Sequence, residues 1–106
     1  MNALKDTDIV SNTPVALLKA IKNKTEIEGM LLSNVRSAVC HIKALKYAED
    51  NVDTGITECD VVDKLAAYYG EQKDFRGQSF DTISSSGGNG SIIHYKPKPG
   101  SVYHIQ

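Results

Sequence analysis

Apolar positions recur at spacings of three and four over the first two thirds of the chain, then give way to two short β-prone runs. The first pattern predicts helices and the second strands. Residues 1–12 are polar and read as a lead-in segment ahead of a domain portion covering 13–106. Pro14 fits the first position of a helix with Thr13 as N-cap. A short helix is therefore expected over about 14–22, with Val15, Leu18 and Ile21 to one side. Lys19, Lys22 and Lys24 gather at its end, which suits the negative pole of the helix dipole.

A longer helix is expected over about 26–50. Thr25 and Glu28 have the T-x-x-E spacing of a capping box. Ile27, Leu31, Val35, Ala38, Ile42 and Leu45 follow on one stripe, which Met30, Val39 and Ala48 widen. The stretch from Asn51 to Gly55 is its exit turn. A third helix is expected over about 58–71, capped by Thr57, with Glu58, Asp60 and Asp63 loading its first turns. Val61, Leu65 and either Tyr68 or Tyr69 supply its apolar face, and Gly70 offers a stop.

From Phe80 to Tyr95 the chain reads FDTISSSGGNGSIIHY, two β-prone runs around a loop of Ser, Gly and Asn. Asn89-Gly90 favours positive φ and a tight turn, which predicts a β-hairpin over about 79–95 with its loop near 85–90. Alternation in the second strand puts Ile92 and His94 on one face, Ile93 and Tyr95 on the other. Pro97 and Pro99 end regular pairing, and the tail GSVYHIQ can start a further strand. The fold class is thus α+β, about three helices followed by a hairpin.

With 106 residues the chain is one domain or a piece of one. Twelve Lys and Arg against thirteen Asp and Glu leave a net charge of -1, so nucleic acid and anionic membrane are not expected partners. No apolar run approaches the ~18 residues of a membrane span. The start, MNALKDTDIV, lacks the charged-then-apolar order of a secretory signal. Cys40 and Cys59 form no CxxC pair, so reduced thiols in a cytoplasmic protein are expected.

The candidate chemistry is sparse. The Ser/Gly loop leads into a strand and lacks the lysine of GxxxxGK[ST], so a turn outweighs a phosphate cradle. Ser84, Ser85 and Ser86 have no GxSxG context. Cys40 and His41 are adjacent on a helix and diverge by about 100°, a poor joint metal site. His104 has no partner at ligand spacing. For His94 two readings stand: a hydrogen-bonded structural residue, the commoner case, or a histidine held to donate to a substrate or carry a proton.

Three stretches taken together go further: TPVALLKAIKNKTEIEGM (13–30), GITECDVVDKL (55–65) and QKDFRGQSFDTISSSGGNGSIIHYKPKP (72–99). In this order and spacing they resemble the start of the catalytic domain of eukaryotic Xaa-Pro aminopeptidases, which belong to the creatinase/methionine-aminopeptidase-like "pita-bread" metallopeptidases. The resemblance covers about residues 12–99, and SFDTISSSG-x-NG-x-IIHY is its most specific part. It implies a dinuclear metal enzyme, manganese expected, that releases the N-terminal residue from peptides with proline second, and a cytoplasmic homodimer. The family's IIHY histidine lines the substrate pocket, a role that falls on His94, with Phe80 and Ile93 as further candidates for the pocket wall.

The family's five metal ligands, two Asp, one His and two Glu, lie further along such chains, and no DSG or DGTTD run occurs here. Gly88 stands where the family usually has Pro, and GSVYHIQ departs from the usual continuation. The expectation is a portion of the domain that binds no metal itself and does not hydrolyse peptides alone, with exposed apolar helix stripes. The alternative is a metal-free pita-bread module that binds peptides or proteins.

Overall fold

The structure, a computed structural model, describes residues 13–100 and 103–105, and the lead-in expected at 1–12 lies outside them. Two units divide the chain, Met1–Leu31 and Leu32–Gln106. In the first, helix α1 spans Pro14–Ala20, with Pro14 at its first position behind Thr13. Pro14 needs no amide partner there, and its fixed φ starts the turn. The chain leaves α1 at Ile21 in an extended conformation, slightly earlier than the lysine run suggested.

Helix α2 spans Lys24–Asn51. Its capping box is formed by Asn23 and Glu26, where Thr25 and Glu28 were expected. The Glu26 amide donates to Asn23 Oδ1 at 2.9 Å, and the Asn23 amide donates to Glu26 Oε2 at 2.8 Å. Asn is at least as good an N-cap as Thr, so the earlier start satisfies two end amides and lengthens the helix.

Helix α3 spans Glu58–Gly70. Between α2 and α3 the chain makes a 3₁₀ turn over Val52–Thr54 and reverses at Gly55, whose φ of 78° is left-handed. The expected Thr57 cap is present as a full box: the Asp60 amide donates to Thr57 Oγ1 at 3.3 Å, and the Thr57 amide donates to Asp60 Oδ2 at 2.7 Å.

The core of the second unit is small. Cys40 (0 % exposed), Ala44 and Leu65 (5 %) are buried together, and Tyr68 and Tyr69 pack against them. Small side chains on α2 let α3 approach, and large ones on α3 fill the gap. The periodic stripe of α2 takes no part: Val35, Val39, Ile42 (66 %) and Leu45 (70 %) are exposed. At 100° per residue, Ile42 is two residues from both Cys40 and Ala44 and lies about 160° from each, on the opposite face.

The tail returns to the start of α3. Ile105 N donates to Ile56 O at 3.0 Å, Glu58 N donates to Tyr103 O at 3.2 Å, and Thr57 and His104 form an antiparallel bridge. The tail was expected to start a further strand; among the described residues it forms this isolated bridge instead.

The expected hairpin over 79–95 is not shown. Among the described residues this stretch holds no strand. Residues 79–86 are irregular, with a bend at 79–80, and the loop tightens into a 3₁₀ turn over Gly87–Ser91. A second turn follows, where Tyr95 N donates to Ile92 O at 3.2 Å and His94 takes φ 55°. Two consecutive turns leave the second run without the extended backbone that ladder pairing needs. A lone two-stranded ribbon is marginal in any case, and the loop's polar groups are engaged by α3 instead.

Candidate functional site

The strongest polar constellation centres on Glu58, the first residue of α3, whose side chain is 0 % exposed. Its carboxylate collects donors from the loop. Ser86 N reaches Oε1 at 2.6 Å, Asn89 Nδ2 reaches Oε1 and Oε2 at 3.1 and 3.2 Å, and the Tyr95 hydroxyl reaches Oε2 at 2.5 Å. Asn89 Nδ2 also lies 3.0 Å from Tyr95 Oη. A buried carboxylate is costly unless its oxygens are well supplied with donors, and here they are. Burial pushes the Glu58 carboxyl up, but the hydrogen bonds from Tyr95, Asn89 and Ser86 outweigh it and leave the group below its ordinary value. The Tyr95 phenol is pushed up to about 12, first by its hydrogen bond to Glu58, then by burial and the charge of that carboxylate.

Sequence reasoning read Glu58 as a helix-dipole charge and Tyr95 as a strand residue. The only sequence signal for their partnership was the crowding of polar groups in SSSGGNG, which must be satisfied somewhere.

His94 stands next to the anchored Tyr95, exposed, in a left-handed turn rather than on a strand. With Phe80, Asp81, Ile83 and Lys96 it lines a shallow concavity of about 310 Å³. Lys96 Nζ pairs with Asp81 Oδ2 in this wall and holds the Asp81 carboxyl below its ordinary value. Of the three candidate pocket residues, the structure brings together His94 and Phe80. Ile93 is exposed and outside the lining.

A larger groove, about 640 Å³, lies beside α2 and α3 and includes Ser37, His41, Tyr69 and Phe75. Tyr69 Oη is 2.7 Å from Ser37 Oγ and 3.4 Å from His41 Nδ1, and the Tyr69 ring stacks on Phe75. His41 Nδ1 lies 2.9 Å from Ser37 O, which occupies the ring nitrogen within its own helix. His104 Nδ1 lies 2.6 Å from Gly55 O and fastens the tail.

Both cysteines are free thiols. Cys40 Sγ donates to Tyr68 O at 3.4 Å and Cys59 Sγ to Lys98 O at 3.2 Å. Burial, with Asp63, Asp60 and Glu58 adding to it, pushes the Cys59 thiol up, away from nucleophile chemistry. Among the described residues, no group of three or more His, Cys, Asp or Glu is placed to hold a metal ion, and no helix is long and apolar enough to cross a membrane.

Comparison with known proteins gives this geometry a context. The chain is 46% identical over 104 residues to the probable Xaa-Pro aminopeptidase P of Laccaria bicolor, covering 96% of this chain and 16% of that protein. It is 44% identical over 99 residues to aminopeptidase P2 of Arabidopsis thaliana, covering 92% and 14%. It is 42% identical over 96 residues to the Xaa-Pro aminopeptidase ApepP of Drosophila melanogaster, covering 89% and 16%. The chain thus spans about one sixth of the length of these curated relatives. No solved structure matches it. The metallopeptidase family M24 profile matches residues 18–106, most of the chain, including α2, α3 and the whole Glu58–loop constellation. On this match and these identities, the chain belongs to metallopeptidase family M24.

Proposed function

We propose that this chain is the leading part of a pita-bread catalytic domain in a cytoplasmic, homodimeric aminopeptidase that releases the N-terminal residue from peptides with proline second. The observation that carries the reading is the identity to proteins named Xaa-Pro aminopeptidase or aminopeptidase P over 89–96% of this chain. In the full-length enzyme two divalent metals, manganese by our reading, would supply the activation of water. The residues described here do not fit such a pair of ions, since no three ligands converge. No step through the metals is therefore assigned to this chain, and its residues act on the substrate side.

In this reading His94 forms a wall of the peptide pocket. Its imidazole donates to the substrate from a concavity that it shares with Phe80 and the Asp81–Lys96 pair. Phe80 supplies apolar surface to the proline ring, and Ile93 faces another part of the pocket. The runs on either side of the loop take up strand pairing in the longer chain, where a sheet offers partners.

The test uses the 106-residue chain and the longest product of the same gene, each with Mn²⁺ and an Arg-Pro-Pro peptide. The longer product should release arginine, and a chelator should stop it. The 106-residue chain should release none. Chelator-sensitive release by the short chain, or none by the longer product, would overturn the proposal.

A further inference from the structure

Glu58 is the most enclosed charge among the described residues, and it lies outside the concavity that His94 lines. All its side-chain donors come from the loop that carries His94: Ser86, Asn89 and Tyr95. They lie 28 to 37 residues away in sequence, so the carboxylate is a cross-link between α3 and that loop. The anchor nearest the candidate pocket is Tyr95, whose neighbour His94 sits at φ 55°. A side chain in the left-handed region is strained, and such a conformation persists only where its surroundings hold it. On one side the Ile92–Tyr95 turn holds it, and on the other the bond from Tyr95 to Glu58. Oε1 fixes the start of the 3₁₀ turn through Ser86 N, and Oε2 fixes the far end through Tyr95, so one carboxylate clamps both ends of the loop.

We propose that Glu58 is a positioning residue: it clamps the 86–95 loop on the first turn of α3 and thereby sets the direction in which His94 faces the concavity with Phe80 and Lys96. Its use in catalysis rests on the aminopeptidase reading above, whereas the clamp itself does not. The carboxylate never reaches the substrate. Asn89 and Tyr95 relay its effect, and an ionised acceptor suits the site because donors reach both oxygens and a proton on either would face one of them.

Two measurements test this separately. In the 106-residue chain, Glu58→Gln should speed amide hydrogen exchange at Ser86 and Tyr95 at least tenfold and shift the His94 ring resonances in NMR spectra. Amides around Ala44 and Leu65 should keep their protection. Tyr95→Phe removes one donor only and should reproduce the His94 shift if Glu58→Gln fails to fold. An exposed control, Glu71→Gln, should do neither. Unchanged exchange and unchanged His94 resonances in both loop variants would overturn the clamp.

In the longest product of the gene, Glu58→Gln should lower kcat/KM by about 10–100-fold. In a His94→Ala background the same change should cost under about threefold, since the two act through one element. Equal losses in both backgrounds would overturn the positioning role and leave Glu58 purely structural. If the parent enzyme cleaves nothing, the aminopeptidase reading falls, and the exchange data still decide the clamp.

Discussion

Two truncations of similar volume on facing helices should differ sharply in cost, because the core lies on the small-residue face of α2. Leu65 is 5 % exposed and packs on Cys40 and Ala44. Leu→Ala in a core costs about 2–5 kcal/mol. With so few buried neighbours able to hold a cavity open, the lower half of that range, about 2–3 kcal/mol, is expected. Ile42 is 66 % exposed. Only about a third of its side chain can lose burial, or roughly 0.5–1 kcal/mol. Alanine returns several tenths of that through helix propensity. Leu65→Ala should therefore lower the urea midpoint, followed by helical circular dichroism at micromolar protein, while Ile42→Ala leaves it nearly unchanged. Ile42→Lys should also be tolerated and should reduce light scattering, since it interrupts an exposed apolar stripe. Equal destabilisation by Leu65→Ala and Ile42→Ala would refute the assignment of faces and restore the periodic stripe as the packing surface.

The acid limb of stability should carry the signature of Glu58. Its folded-state pKa is depressed despite burial, so its contribution is present above the ordinary carboxylate value and lost as pH falls through the folded one. Urea midpoints should drop below about pH 4.5, and that part of the drop should be missing in Glu58→Gln. The alkaline limb belongs to Tyr95, whose pKa is raised to about 12: its contribution is complete below about pH 10 and disappears as the pH climbs through 12. Tyr95→Phe should flatten that limb in the same titration. Thr57→Ala should cost about 1 kcal/mol of unfolding free energy, as the loss of an N-cap does, and Asp60 should then titrate closer to its ordinary value by NMR, since the Thr57 hydroxyl and amide hold it down. Gly55→Ala puts a side chain at φ 78°, so a loss of roughly 1–2 kcal/mol is expected in chemical denaturation, and no loss would contradict the left-handed turn.

What could be read from the residues was what short-range interactions decide. Thr57 and Asp60 are three apart, and their box follows from the helix start itself. Pro14 opens α1 for the same local reason. At α2 two local solutions competed, Asn23 with Glu26 and Thr25 with Glu28, and both have the right spacing. The face of α2 was misjudged for a different reason. Periodicity reports which side chains favour burial, and Val35, Ile42 and Leu45 do. Contact with α3 goes instead to Cys40 and Ala44, whose small size permits close approach.

The Glu58 cluster was illegible because a charge at a helix start already has a sufficient local explanation, and its partners lie 28 and more residues away. Asn89-Gly90 did signal a turn, but the chain used it in a 3₁₀ turn rather than a hairpin. His94 was noticed for its chemistry. Its left-handed backbone has no marker in the residues around it.

The contact between His104 and Gly55 joins residues 49 apart, while α2 and α3 are neighbours in the chain. Contacts of such different range form on different timescales, because loop closure entropy grows with the length enclosed. The helical pair can assemble as soon as residue 70 is available, but the amide of Glu58 and the carbonyl of Ile56 wait for Tyr103 and Ile105. The site end of α3 is therefore completed only after residues 103–105 have joined it. In stopped-flow refolding, helical signal should precede protection of the Ile105 amide; simultaneous appearance would show that the tail belongs to the nucleus rather than closing over it.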